Sequence, residues 1–371
     1  MEKHLHIISF DVPYPANYGG VIDVFYKLKN LHKAGTKIIL HCFEYGRGEQ
    51  EELEKYCETV YYYKRNNSIL NQLSSIPFIV KSRVSEELIT NLLKDNYPIL
   101  FEGLHTCYYI NDKRIAGRKK IYRESNIEHD YYAHLAKSEK DFLKKLYFEL
   151  EASKLRKFQT QLAYADLMLV VSTADRDYLQ QQFPKNKIDY LPSFHAFDEV
   201  SSKTGKGSYI LYNGNLQVGE NVKALEYLIQ HIFSKINHPV IIAGLNPSEE
   251  IYNWVKDFSQ IKIIANPSEV EMQTLIEDAQ IHCLYTHQST GLKLKLLNVL
   301  YSGRFCICND DILVGTNLQA ACIVKNSPQE MVDAINNTFQ KEFTQGLIDL
   351  RKQALQVFDN KLKTQQLISY L

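Results

Sequence analysis

The sequence predicts an α/β protein of two Rossmann-like domains facing each other across a cleft. Three observations predict it. The chain has 371 residues, and at roughly 100–200 residues per domain that makes two domains. Short apolar runs alternate with amphipathic segments through both halves, the pattern of parallel sheets with right-handed helical crossovers. A polar, Gly/Ser-rich run from Ser201 to Ser208 interrupts the alternation and is the best linker candidate. The domains are placed at residues 1–195 and 196–371, with the last helix able to return to the first.

In the first half, His4 to Phe10 reads as a strand and Val21 to Ala34 as a helix that Gly35 ends. Lys37 to Phe43 and Thr59 to Tyr63 read as strands, Val84 to Asp95 as a helix, and Pro98 to Phe101 and Lys119 to Arg123 as further strands. No Pro or Gly interrupts Asp130 to Ala163, which predicts a long helix or a bent pair. Leu167 to Val171 follows as a strand and Thr173 to Gln182 as a helix. In the second half, strands are expected at Tyr209 to Tyr212, Val240 to Ala243, Ile261 to Ile264, Ile281 to Leu284 and Phe305 to Cys308. Helices are expected at Asn221 to Ile236, Glu249 to Phe258, Ser268 to Asp278 and Leu292 to Tyr301.

Composition narrows the function classes. Apolar residues make 45% of the chain and charged residues 23%, an ordinary globular balance. The formal net charge of zero argues against a dedicated nucleic-acid binder. No stretch approaches the ~18 apolar residues of a membrane helix, and residues 1–6 are polar, unlike a signal peptide. The seven cysteines lie mostly in or beside apolar runs, where Cys packs as a small hydrophobe. A cytoplasmic protein without disulfides is expected.

The candidate site residues sit where strands end, as ligand sites of parallel sheets do. Gly19 and Gly20 follow strand one and open a helix, where free amides favour anions; a tight turn is the plainer reading of the same pair. Asn126, Glu128 and His129 follow the strand ending at Arg123 and could orient or exchange protons, with helix capping by Asn126 or Asp130 as the alternative. Gly214 and Asn215, Gly244, and Pro267 mark three small polar turns after strands, together one rim of a pocket. Thr290 and Gly291 open a helix carrying Lys293, Lys295 and Asn298, suited to a diphosphate. No metal site is expected: His129 and His134 lack the zinc-protease spacing, and Asp310–Asp311 reads as a surface loop. The basic residues Lys137, Lys140, Lys144, Lys145, Lys154, Arg156 and Lys157 alternate with Glu139, Asp141, Glu149 and Glu151, which reads first as a solvated face and second as a surface for anionic lipid.

These motifs, in this order, resemble GT-B glycosyltransferases, most closely the retaining family 4 group. The similarity lies in the Gly-x-Leu turn Gly214–Leu216, the Gly244 turn, the loop around Pro267, and the small-residue loop into a helix ending at Gly303. It implies transfer of a sugar from a nucleoside-diphosphate sugar to the hydroxyl of a glycan or lipid-linked acceptor, with retention and no metal or other cofactor. Surface polysaccharide or glycan synthesis and peripheral association with the inner membrane face go with it. A non-catalytic relative and a sugar-nucleotide epimerase are the alternatives. Family members commonly carry Arg and Lys where this chain has Asn215 and Glu220 or Asn221, and Glu where it has Asn298. Neutral amides hydrogen-bond but cannot make charge-assisted bonds.

Overall fold

The apolar runs of the first half become seven parallel strands: β1 (His4–Ser9), β2 (Lys37–Glu44), β3 (Thr59–Lys64), β4 (Ile99–Glu102), β5 (Lys120–Arg123), β6 (Leu167–Val170) and β7 (Lys187–Tyr190). They lie in the order β3-β2-β1-β4-β5-β6-β7. Six more form a second parallel sheet: β8 (Ile210–Asn215), β9 (Val240–Leu245), β10 (Ile261–Ala265), β11 (Ile281–Leu284), β12 (Phe305–Cys308) and β13 (Ile323–Val324), ordered β10-β9-β8-β11-β12-β13. Each order reverses once, between β1 and β4 and between β8 and β11, so each sheet has the switch point of a Rossmann-like domain. The computed structural model describes residues 2–288 and 293–371. The chain divides into unit 1, Met1–Ala196 with Asn360–Leu371, and unit 2, Phe197–Asp359.

In unit 1 the principal helices are α1 (Gly19–Lys33), α2 (Glu86–Leu92), α3 (Glu128–Ser138), α4 (Phe142–Phe158) and α5 (Thr173–Gln182). In unit 2 they are α6 (Gly219–His231), α7 (Glu249–Val255), α8 (Glu269–Asp278), α9 (Leu294–Ser302), α10 (Pro328–Phe339) and α11 (Gln345–Ala354). The last helix, α12 (Asn360–Ser369), belongs to unit 1 and packs on α1. Apolar stripes of α1 (Val24, Leu28, Leu31) and α6 (Leu225, Leu228, Ile229) are buried against their sheets. Ser268 with Glu271 and Ser327 with Glu330 close capping boxes at the starts of α8 and α10.

Three sequence expectations are corrected, and one alternative is decided. The Ser201–Ser208 run is packed into unit 2 rather than serving as a linker. Ser201 N donates to Tyr301 O at 2.8 Å, Gly205 bridges Phe343, and a Cβ on Gly207 would stand 2.4 Å from Asp278 O. Its glycines serve close approach, not flexibility. The Asp130–Ala163 stretch, read as a long helix or a bent pair, is the pair, because Glu139 Oε1 accepts from the amides of Lys140 and Asp141, and Asp141 caps α4 by accepting from Lys144 N. Such local side-chain bonds compete with a continuous helix. Helix α9 starts at Leu294, with extended Lys293 as its N-cap residue, rather than at Gly291. Asp310–Asp311 opens a helical turn, Asp310–Leu313, whose Ile312 and Leu313 are buried.

Two buried polar systems order unit 1. In the first, Lys27 Nζ meets Glu102 Oε1 at 2.6 Å and Asp23 Oδ2 at 3.3 Å, and Arg123 Nε meets Asp23 at 3.1 Å. Asp23 Oδ1 also accepts from Phe194 N, and Lys363 Nζ of α12 donates to Ser193 O at 2.6 Å. In the second, Asn91 Nδ2, Tyr63 Oη, His41, His6 and Asp95 form a chain with links of 3.0, 2.8, 2.8 and 2.9 Å. The Asn91 amide donates at one end and the Asp95 carboxylate accepts at the other, so every link is satisfied with both imidazoles neutral. Burial lowers both imidazole pKa values, His41 well below the usual value, with the neighbouring His6 as its next cause. The unfolded chain therefore binds protons below pH ~6.5 that the folded chain refuses, and stability present above that pH is lost as pH falls. The expected slope is up to about 1.4 kcal/mol per pH unit for each histidine. Urea midpoints measured from pH 7.5 downward check this: His41→Gln should flatten the acid decline, and an unchanged slope removes the assignment.

Candidate functional site

In unit 1, polar groups gather where β1, β4 and β5 end. Asp11 is buried, accepts from Val12 N at 2.8 Å and from Tyr18 Oη at 2.7 Å, and so folds the loop before α1. Helix α1 starts at Gly19 with no side-chain cap, leaving its first amides without an intrahelical or capping acceptor. A Cβ on Gly20 would stand 2.6 Å from Phe10 Cζ, so the ring of Phe10 accounts for that glycine.

Phe10 O accepts from Arg83 Nε at 2.8 Å, and Arg83 Nη1 reaches Ile79 O at 2.6 Å. Burial pushes this guanidinium down to about 9, with Arg65 adding to the effect. Beyond β4, Gly103 has φ 70°, and a Cβ there would meet His105 Nδ1 at 3.0 Å. The His105 ring lies against Phe10, its Nδ1 is buried without a partner and stands 3.9 Å from Glu128 Oε1. Burial, then Arg83 and Arg65, hold its pKa well below the usual range.

Glu128, in the first turn of α3, is pushed up to about 8 by burial, partly offset by Arg83. At pH 7 the two groups are therefore a neutral carboxylic acid and a neutral imidazole rather than an ion pair. Deeper, Glu124 Oε2 accepts from Val171 N at 3.3 Å while its Oε1 is orphaned. Burial and Asp175 raise its pKa well above normal. Unsatisfied buried polar atoms are costly and uncommon, and here they cluster at the end of a parallel sheet.

The residues expected beside Glu128 part company with it. Successive helical residues point about 100° apart, and His129 faces α4 and α5. Its Nε2 lies 3.4 Å from Tyr178 Oη, and it lines a polar cavity of about 370 Å³ with Asp130, Arg156, Gln159, Thr160 and Tyr178. Burial lowers its pKa. Asn126 is half-buried, and neither it nor Asp130 caps α3: the N-cap residue is Ile127, without a side-chain bond.

In unit 2 the turns after β8, β9 and β10 interlock. A Cβ on Gly244 would fall 2.1 Å from Gly214 O, so Gly244 permits two strands to approach. Asn215 Oδ1 accepts from Gln217 N at 3.0 Å and its carbonyl from Asn221 Nδ2 at 3.0 Å, which commits that side chain to the turn. Asn266 Oδ1, beside half-buried Pro267, accepts from Asn246 N at 2.7 Å. Helix α6 begins at Gly219 without a side-chain cap, and its Glu220 accepts from Thr286 Oγ1 at the end of β11.

Lys293 and Lys295 both feel Glu220. Burial lowers the pKa of Lys293, and pushes Lys295 down to about 8. Asn298 Oδ1 is buried without a partner, as is Asn213 Oδ1 at the end of β8. Tyr227 and Tyr285 stack at 4.4 Å, with His287 edge-on to both. Thr290 and Gly291 lie outside the described residues.

No family model matches the chain. An uncharacterised 44.6 kDa protein in the cps region of Klebsiella pneumoniae is 25% identical over 330 residues, 81% of this chain and 81% of that protein. Among solved structures, Anabaena HepE in complex with UDP and glucose matches over 99% of each chain, with TM-score 0.66 and 11% identity. Sucrose-phosphate synthase from Thermosynechococcus elongatus matches over 99% of this chain and 98% of its own, with TM-score 0.69 and 12% identity. TarM matches over 100% and 98%, with TM-score 0.68 and 10% identity.

The fold is GT-B.

In this GT-B chain the sequence patterns miss His105 and Arg83. The signal for His105 was Gly103–Leu104–His105 directly after the β4 run, the same strand-end logic that singles out Glu128. Arg83 has no local signal, since only the tertiary fold brings it to Phe10.

Proposed function

We propose that the chain is a glycosyltransferase that moves a sugar from a nucleoside-diphosphate sugar to the hydroxyl of a glycan or lipid-linked acceptor in surface polysaccharide synthesis. The observation that carries this is the GT-B match over 99% of the chain to a structure holding UDP and glucose. The cps-region relative supports the pathway, and the UDP held in HepE and TarM structures supports a uridine nucleotide.

Unit 2 holds the donor in this reading. The uncapped start of α6, the cation Lys295 and the orphaned acceptor of Asn298 suit a diphosphate and sugar hydroxyls. The leaving diphosphate then gathers charge against fixed amides and an ammonium, with no catalytic metal. Unit 1 holds the acceptor, with Glu128 as donor and His105 as acceptor for hydroxyls that need both. Transfer with retention accompanies the family 4 resemblance, and the anomeric configuration of the product by NMR decides it. Peripheral contact with the inner membrane face accompanies a lipid-linked acceptor.

Asn215, tied into its own turn, and the neutral Asn298 favour a second reading, a relative that binds the nucleotide without transfer. One experiment sorts both. UDP at 100 times its dissociation constant adds about 2.7 kcal/mol, which should raise the melting midpoint by roughly 5–11 °C for a domain this size. GDP and ADP should not. A UDP shift with release of UDP from UDP-sugars on an acceptor supports transfer, a shift without turnover supports the second reading, and no shift removes both.

A further inference from the structure

Large apolar side chains left bare by the fold concentrate on one part of unit 1. Of the six that are exposed by 71% or more among the described residues, five are Ile69, Leu70, Leu73, Phe142 and Leu143; the sixth, Val270, is alone in unit 2. The first three lie on a 3-10 turn, Ile69–Leu73, none of whose residues is buried. Phe142 and Leu143 begin α4, and Leu146 and Leu150 continue their stripe at helical spacing, all exposed. The two segments are joined. Lys154 Nζ of α4 donates to Gln72 O at 2.7 Å, and Glu151 accepts from Phe78 N at 2.7 Å.

The charges around this stripe have one sign to offer. Lys140, Lys144 and Lys145 are exposed and form no ion pair among the described residues. The nearby acids are occupied. Asp141 caps α4, Glu139 holds the turn before it, and Glu151 is buried against Lys154 and Phe78 N. Only Glu149 stands exposed without such a role. A solvated face alone does not account for Phe142, Leu143, Leu146 and Leu150 standing bare over two turns.

We propose that the Ile69–Leu73 turn and the first half of α4 form a docking surface for an anionic lipid bilayer. Leucine and phenylalanine rimmed by lysine is the composition that seats in the headgroup layer, with the lysine stems laid along the surface. A protein partner fits less well, because lysine is depleted from protein–protein interfaces. No helix among the described residues is long and apolar enough to cross a membrane, so the contact is interfacial. The surface rests on the transferase reading only for its purpose, which is to hold the acceptor side of unit 1 near a lipid-linked substrate.

Full-length protein is sedimented with phosphatidylcholine vesicles, with and without an equal share of phosphatidylglycerol, while the UDP thermal shift is measured in parallel. Anionic vesicles should bind at least tenfold more tightly, and salt should weaken the binding. Lys144→Glu with Lys145→Glu should cost tenfold or more on anionic vesicles. Phe142→Ser with Leu143→Ser should cost at least tenfold as well. Both variants should melt with the wild type, since these side chains are bare, and keep its nucleotide response. Absent binding to anionic vesicles, or binding that neither variant weakens, overturns the proposal. So does a dimer by light scattering that Phe142→Ser with Leu143→Ser breaks, which would make a second copy the occupant. Vesicle binding without a UDP shift leaves the surface standing and removes the transferase reading.

Discussion

Lys27→Met should destabilise unit 1 by about 3–5 kcal/mol, because it leaves a buried carboxylate without its cation. Lys27 is fully buried and lies between Glu102 and Asp23. The two acids are not equivalent. Burial works against the ionisation of Asp23, but the Arg123 guanidinium and then Lys27 outweigh it and hold its pKa low. Burial raises Glu102 in spite of Lys27. Removing Lys27 leaves Asp23 its arginine and strands Glu102. The double variant Lys27→Met with Glu102→Leu removes one charge of each sign and should recover most of the loss, since a buried pair exchanged for apolar volume is often neutral. Urea denaturation of the three proteins measures this. A single variant that costs under about 1 kcal/mol, or a double variant no better than the single, refutes the account. The same network reaches Phe194 and sits beside the Lys363–Ser193 contact, so the loss should also free the last helix, visible as faster amide exchange over residues 360–369.

The fold class was legible in the sequence because its signal is periodic and repeated. Strands such as Ile281–Leu284 and Phe305–Cys308, and the helix Thr173–Gln182, have the bounds their apolar pattern predicts. What escaped was short or set by tertiary contact. Lys187–Tyr190 buries a single Ile188, and Ile323–Val324 has two residues, too few for any period. Helices α10 and α11 carry ordinary amphipathic signals that the strand-and-helix alternation does not call for, whereas α12 has no apolar stripe and buries Asn360, Lys363 and Thr364 beside Leu367.

The glycines were visible as strand-end punctuation, but not the reason for each. Gly20 answers to the Phe10 ring and Gly244 to a neighbouring carbonyl, neither of which a sequence window contains. The pairing of Glu128 with His105 rather than with its neighbour His129 is the same kind of fact. Adjacent helical residues face different walls, while residues 23 positions apart meet because β4 and β5 are neighbours in the sheet.

Glu128→Ala should lower transferase turnover at pH 7 by 10²–10³-fold, the usual cost of deleting a buried donor at a reacting centre. The proposed role makes a sharper demand on pH. The folded pKa of Glu128 is pushed up to about 8, so the acid carries its proton at pH 7 and can donate to a hydroxyl or a sugar oxygen. As pH rises through about 8 the donor becomes an acceptor facing the neutral imidazole of His105, and turnover should fall. A carboxamide at the same place keeps an N–H donor and has no proton to lose. Glu128→Gln should therefore retain turnover within about tenfold of wild type at pH 7 and lose the alkaline limb. If Glu128 served only to pack the turn before α3, both variants would shift stability and neither would reshape the pH profile. If it were instead an ionised base, wild-type turnover would rise through pH 8 and Glu128→Gln would be as inactive as Glu128→Ala. Initial rates of UDP release from pH 6 to 9.5 for the three proteins distinguish the cases, and only a falling alkaline limb that the glutamine variant abolishes keeps Glu128 as the neutral donor of unit 1.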